Sequence, residues 1–207
     1  MSIVDKIVSE LIVFITNFIS MTGYFGVFVL MALESTMVPL PSELVMPFAG
    51  YLAYQGVFNI YAVCIISALG TVFGSLVSYY IGKFGGEPFL KKYGKYFFIN
   101  HKDLEKTHAW FKKRGDKTIF ISRFIPVVRH LISIPAGIAE MDKKKFILYT
   151  FLGGLIWNSF LAYLGYKLAE KWEVVHEYTK PLSYAALVLI IVGVVYFYYN
   201  HIKKNKE

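Results

Sequence analysis

Apolar residues gather in long blocks along this chain, and the polar residues fall between them. Three blocks are uninterrupted, over about 57–82, 146–168 and 181–200. Each reaches the roughly 20 residues that cross a bilayer as helix, which predicts three spans. Two further blocks are broken. Residues 24–54 contain Pro39, Pro41 and Pro47, and residues 118–140 contain Pro126, Pro135 and Gly137. Proline removes a backbone donor and blocks the preceding turn. At membrane depth a broken backbone is tolerated only when it is buried in protein or lines a wet cavity. Each broken block therefore predicts a re-entrant helical hairpin of two short arms. In the first, the second arm should start near Pro41 or Ser42. The opening block has two readings: one span over Leu11–Leu33, or a segment 3–20 at the interface followed by a new element near Tyr24.

Polar positions set the orientation. Residues 83–117 carry ten basic side chains (Lys83, Lys91, Lys92, Lys95, Lys102, Lys106, Lys112, Lys113, Arg114, Lys117) against Glu87, Asp103, Glu105 and Asp116. This segment reads as basic, amphipathic and cytoplasmic, lying on an anionic leaflet. Lys143–Lys145 and the tail lysines Lys203, Lys204 and Lys206 fall on the same side by the positive-inside rule, so the C-terminus is expected in the cytoplasm. That holds only if 118–140 enters and leaves on one side, so the charges support a hairpin independently of the prolines. By the same count the 54–59 loop is outside, and the first hairpin opens outward.

Composition agrees with a membrane-embedded chain. Hydrophobic residues make up 56%, charged residues 17% and aromatics 18%, with mean hydropathy +0.50. The reading is an all-α integral membrane protein of the cell membrane, with one domain over 1–207. A net charge of +8 then marks cytoplasmic loops and does not call for a nucleic-acid partner. The single cysteine, Cys64, excludes an intramolecular disulfide. Asp5, Lys6 and Glu10 speak against a cleavable leader.

Two stretches align without gaps. Leu69-Gly70 through Tyr80-Ile-Gly82 matches Leu152-Gly153 through Tyr163-Leu-Gly165 at a Leu, two Gly and a Tyr. Each follows a broken block with an Ala-Gly near its end, Ala49-Gly50 and Ala136-Gly137. The two copies have opposite expected orientations, and inverted repeats with broken helices are a transporter pattern.

Four charges fall inside the broken blocks: Glu34 and Glu43 in the first, Arg123 and Arg129 in the second. An ionised group at the bilayer centre costs about 2.5–3.5 kcal/mol on insertion scales, so pairing or water access is required. One reading is a structural salt bridge that pins the hairpins together. The other is an anion site, because arginine is suited to bidentate phosphate recognition. The carboxylates would then neutralise the arginines in the empty site and be available to carry protons. Histidines show no metal-ligand spacing, and no nucleophile–base motif accompanies Ser42, Ser122 or Ser133. Neither a metal, another cofactor nor an enzymatic activity is expected.

The pattern Glu34…Pro39-Leu-Pro41-Ser-Glu43…Pro47-Phe-Ala-Gly50, followed by Arg123-Phe-Ile-Pro126-Val-Val-Arg129…Pro135-Ala-Gly137-Ile-Ala-Glu-Met141, resembles the DedA family, also called the SNARE-associated or VTT-domain family. The likeness covers about 34–165. It implies two facing re-entrant hairpins in inverted repeats and lipid movement between leaflets. Bacterial members include undecaprenyl-phosphate translocases, others are linked to phosphatidylethanolamine movement, and eukaryotic relatives are scramblases. Carried over by motif, Arg123 and Arg129 would bind a lipid phosphate, with Glu34 and Glu43 in charge pairing or proton coupling. The expected activity is outer-to-cytoplasmic translocation of a polyprenyl phosphate, with membrane lipids as partners and a homo-oligomer open. The alternatives are a general phospholipid transporter or scramblase, and a small-ion or drug/proton antiporter.

Overall fold

The computed structural model of the protein describes residues 3–36, 40–97, 115 and 117–169. Among the described residues seven helices are formed: α1 (Ile3–Thr22), α2 (Tyr24–Glu34), α3 (Ser42–Tyr54), α4 (Ile60–Phe97), α5 (Pro126–Leu131), α6 (Ser133–Ile138) and α7 (Lys143–Leu168). A further helical turn spans 117–122. No strand occurs among the described residues. The block expected as a span over 181–200 and the central part of the polar segment, 98–114, lie outside the described residues.

The chain breaks where the sequence loosens. Gly23 adopts φ 65°, a left-handed conformation that favours glycine, so α1 ends there and α2 starts anew. A single helix over Leu11–Leu33 is therefore not formed. Pro41 stands extended immediately before α3, and Pro126 opens α5 at its first position, where a missing N–H costs nothing. The second broken block has one division more than two arms require. Its latter part is split at Ile132 into α5 and α6. Helix α4 starts at Ile60 and continues past residue 82, so residues 83–97 extend the helix instead of beginning a separate polar segment. Leaving an apolar layer does not unwind a helix, because its hydrogen bonds are internal and only side-chain solvation changes.

Helices α4 and α7 pack against each other as the central pair. Asn59 caps the start of α4 by accepting from the Tyr61 and Ala62 amides at 2.9 and 3.2 Å. Asp142 does the same for α7 at the Lys145 amide, 2.9 Å. The central pair is polar inside and apolar outside. Ser67, Thr71, Ser75 and Ser78 of α4 are buried, while Ile65, Leu69, Phe73 and Ile81 are exposed. Asn158 of α7 is fully buried and its amide donates to Ser67 Oγ and Thr71 Oγ1, both at 3.3 Å. Water would reverse that arrangement. A lipid solvent accounts for it, since hydroxyls and amides then join helices while apolar side chains face outward. Both helices contain a 26-residue stretch apolar enough to cross a membrane.

Each broken block lays one arm on each central helix. In the first, α2 packs on α4 and α3 on α7. In the second, Phe120 of the 117–122 turn meets α7 at Gly153, and α6 packs on α4. The crossings use glycines from both aligned stretches. A Cβ on Gly70 would strike the Phe28 carbonyl, and one on Gly153 the Arg123 side chain and the Phe120 carbonyl. Farther along, α3 and α7 meet reciprocally: Gly50 lies against the Ala162 carbonyl and Gly165 against the Pro47 carbonyl. Helices α6 and α4 meet in the same manner, Gly137 on Tyr79 and Gly82 on Ile134. Two apolar clusters fill the space around these crossings. The larger joins Ile15, Ile19, Leu30, Met46 and Leu161, and the smaller joins Tyr79, Ile119, Met141 and Phe146.

The reciprocal crossings of α3 with α7 and of α6 with α4 are backbone on backbone and have no flexible atoms to yield. Gly50→Ala and Gly137→Ala should each lower stability by about 1–3 kcal/mol, the usual cost of overpacking. Gly154→Ala should cost less, because its nearest neighbour is the Thr71 side chain at 3.2 Å. Thermal unfolding of the purified variants in one detergent compares the three.

Candidate functional site

The ends of the two broken blocks meet over the central helix pair. Glu34 closes α2, Ser42 opens α3, Arg123 sits in the turn before α5, and Arg129 lies in the last turn of α5. All four are buried, at 1%, 0%, 2% and 4% exposure. A proline on each side explains the placement. Pro41 directs the chain so that the free amides of α3 face Glu34, and Pro126 turns it so that Arg129 returns toward them.

Glu34, Ser42 and Arg129 form a closed triangle. Glu34 Oε2 receives Arg129 Nη2 at 2.9 Å, and Glu34 Oε1 receives the Ser42 amide at 3.2 Å. Arg129 Nη1 donates to Ser42 Oγ at 3.1 Å. The carboxylate thus lies at a helix N-terminus beside a guanidinium, the position an anion favours. His130 Nδ1 lies 2.9 Å from the Glu34 carbonyl oxygen, a second tie between the two blocks. Over the guanidinium of Arg129 lies the Trp157 ring, 5.8 Å from Cζ to the ring centroid, in cation–π range.

Arg123 is held differently. Its Nη1 donates to the Arg129 carbonyl at 2.9 Å. Its Nη2 donates to Thr150 Oγ1 at 3.0 Å and Ser133 Oγ at 3.3 Å. Every one of these acceptors is neutral, and Arg123 Nε has no partner among the described residues. The Arg129–Glu34 pair cancels its own charge, so Arg123 leaves the buried cluster with one net positive charge.

Of the four charges singled out in the sequence, three come together and one does not. Glu43 makes no ion pair with either arginine among the described residues. Its carboxylate stands 3.5 Å from Ser42 Oγ and is only partly buried. The reason is helical geometry. Glu43 follows Ser42 in α3, so its side chain leaves about 100° around the axis from the one that faces Arg129. Gly137 lies at the α6–α4 crossing, and Pro47 at the α3–α7 crossing. Pro135 lies within α6, and Pro39 falls outside the described residues. Thr150 and Trp157 are additions, because nothing in an unbroken apolar span marks which side chains face inward. Among the described residues no three His, Cys, Asp or Glu side chains are grouped to share a metal ion.

Residues 40–167 match the VTT domain. The chain belongs to the VTT-domain, or DedA, family. It is 37% identical to undecaprenyl phosphate transporter A of Bacillus subtilis, over 89% of this chain and 91% of that protein. With the Staphylococcus aureus protein of the same name it shares 36%, over 93% and 97%. A Lactococcus lactis relative named alkaline phosphatase-like protein is 38% identical over 84% and 83%. No solved structure matches the chain.

Removing one partner of a buried ion pair strands the other. Glu34→Leu and Arg129→Leu alone should each destabilise the protein by about 3–5 kcal/mol, whereas the two together should recover most of that loss. A double-mutant cycle in thermal or denaturant unfolding reads the coupling.

Proposed function

We propose that the protein is a lipid translocase that moves an anionic polyprenyl phosphate from the outer to the cytoplasmic leaflet. The observation that carries this reading is Arg123, a cation 2% exposed with only neutral acceptors among the described residues. A buried charge without a counter-charge costs several kcal/mol, and an anionic ligand removes that cost. The transporter names of the Bacillus subtilis and Staphylococcus aureus relatives favour the same lipid class.

In this reading Glu34 holds the place of the phosphate while the site is empty. The arriving head group takes the Ser42 amide and Arg129 from Glu34 and adds a charge-assisted bond to Arg123. A phosphate monoanion would balance the +1 cluster. A dianion would leave it one charge negative, and protonation of the displaced Glu34 would restore balance. That links translocation to proton uptake, with Glu43 positioned at the partly exposed edge of α3 as a second carrier. The prenyl tail stays in lipid along the apolar outer faces of α4 and α7.

The two broken blocks act as re-entrant hairpins of an inverted repeat within one domain. The matched glycine crossings support this, since Gly70 and Gly165 do for the first block what Gly153 and Gly82 do for the second. Alternating access then consists of the hairpins rocking about those crossings. Lys143–Lys145 support a cytoplasmic start for α7. Cations are disfavoured in the first turn of a helix by its dipole, and attraction to an anionic leaflet offsets that. The same charge rule puts the C-terminus in the cytoplasm and the protein in the cell membrane.

Proteoliposomes carrying a fluorescent short-chain polyprenyl phosphate test the reading. Wild type should move the lipid between leaflets, faster with an inward proton gradient. Arg123→Gln and Arg129→Gln should each lower the rate at least about tenfold, the loss of one charge-assisted bond. Equal movement of phosphatidylcholine without a gradient would instead establish a general scramblase.

A further inference from the structure

Helix α7 supports both arginines from one face. Thr150 accepts from Arg123, and Trp157, seven residues on, carries Arg129 on its ring. Positions i and i+7 share a helix face, and Gly153 and Gly154 lie on that face between them. Gly153 makes room for Arg123, whose Cβ and Cγ lie 2.9 Å from where a Cβ would stand. Within this arrangement two buried donors have no acceptor among the described residues, Arg123 Nε and Trp157 Nε1. Buried donors left unmade are rare, and each disfavours the state that leaves it so. Both belong to side chains already engaged with the site.

We propose that Trp157 binds the substrate directly, its indole N–H donating to a phosphate oxygen while its ring holds Arg129. This rests on the translocase reading above and adds a residue to it. An indole N–H only donates, so its missing partner must be an acceptor. A phosphate oxygen taken up by Arg129 would come to the side chain whose ring already stacks on that guanidinium, and Phe124 packs edge-on against the same ring, 6.5 Å between centroids. The class of ligand is a phosphomonoester, as a lipid head group or as free phosphate. A purely packing role for Trp157 uses the ring alone and makes the N–H dispensable.

Trp157→Phe separates the two, because it keeps an aromatic ring beside Arg129 and removes the donor. The full chain in detergent is titrated with farnesyl phosphate, with farnesol and inorganic phosphate as competitors. The proposal expects Trp157→Phe to bind farnesyl phosphate about tenfold more weakly, at an unchanged unfolding midpoint, and farnesol not to compete. Undiminished binding by Trp157→Phe, with Arg123→Gln still losing it, overturns the role of Trp157 and leaves the arginine site standing. No binding by wild type overturns the translocase reading itself. Competition by inorganic phosphate as strong as by farnesyl phosphate assigns the site to free phosphate and overturns the lipid arm. Should Trp157→Phe not fold, Trp110→Phe with Trp172→Phe leaves Trp157 as the only indole in the chain. Its emission should then shift on adding farnesyl phosphate and not farnesol, and an unchanged emission overturns the proposal.

Discussion

A guanidinium buried with only neutral acceptors among the described residues is the constraint around which this molecule is built. Arg123 is enclosed by Arg129, Ser133 and Thr150, all of which supply neutral oxygen. Its neighbour Arg129 has taken the one carboxylate within reach. The fold tolerates the excess charge only because the surrounding backbone and hydroxyls are fixed in place. They come from α5, α6 and α7, which meet at this point.

Holding that geometry requires helices to approach more closely than side chains allow. The glycine crossings provide the approach, and they come in matched sets on α4 and α7. The result is a frame in which the two broken segments are supported alike, each with one arm on each central helix. The charged residues lie at the ends of arms and in turns, where backbone donors are free and short displacements are inexpensive. Rigid crossings and a polar junction between them are the elements a site needs if it is to face alternate sides without unfolding.

Much of this was legible in the residues themselves. Pro41 and Pro126 marked where helices start because proline acts on the backbone locally, whatever surrounds it. Burial of Glu34, Arg123 and Arg129 followed from charge inside apolar blocks, and the glycines of the Leu-Gly…Tyr-Leu/Ile-Gly match prove to lie at helix crossings. What the sequence left open was which charges pair. Glu34 and Glu43 look equivalent along the chain, yet Ser42 takes the inward position on α3 and turns Glu43 aside. Thr150 and Trp157 were silent for a related reason. In a helix apolar on all sides, periodicity does not tell the inward face from the lipid-facing one. The continuation of α4 through 83–97 was missed because a change from apolar to basic residues marks a change of solvent, not a change of backbone.

The central claim is that the uncompensated charge of Arg123 is there to receive a lipid phosphate. Native mass spectrometry of the protein extracted from its own membrane, beside Arg123→Gln extracted in the same way, tests it most directly. A bound lipid carrying a terminal phosphate is expected on the wild-type protein, with its loss from Arg123→Gln. A wild-type protein free of phosphate-bearing lipid, or equal retention by the variant, would contradict it.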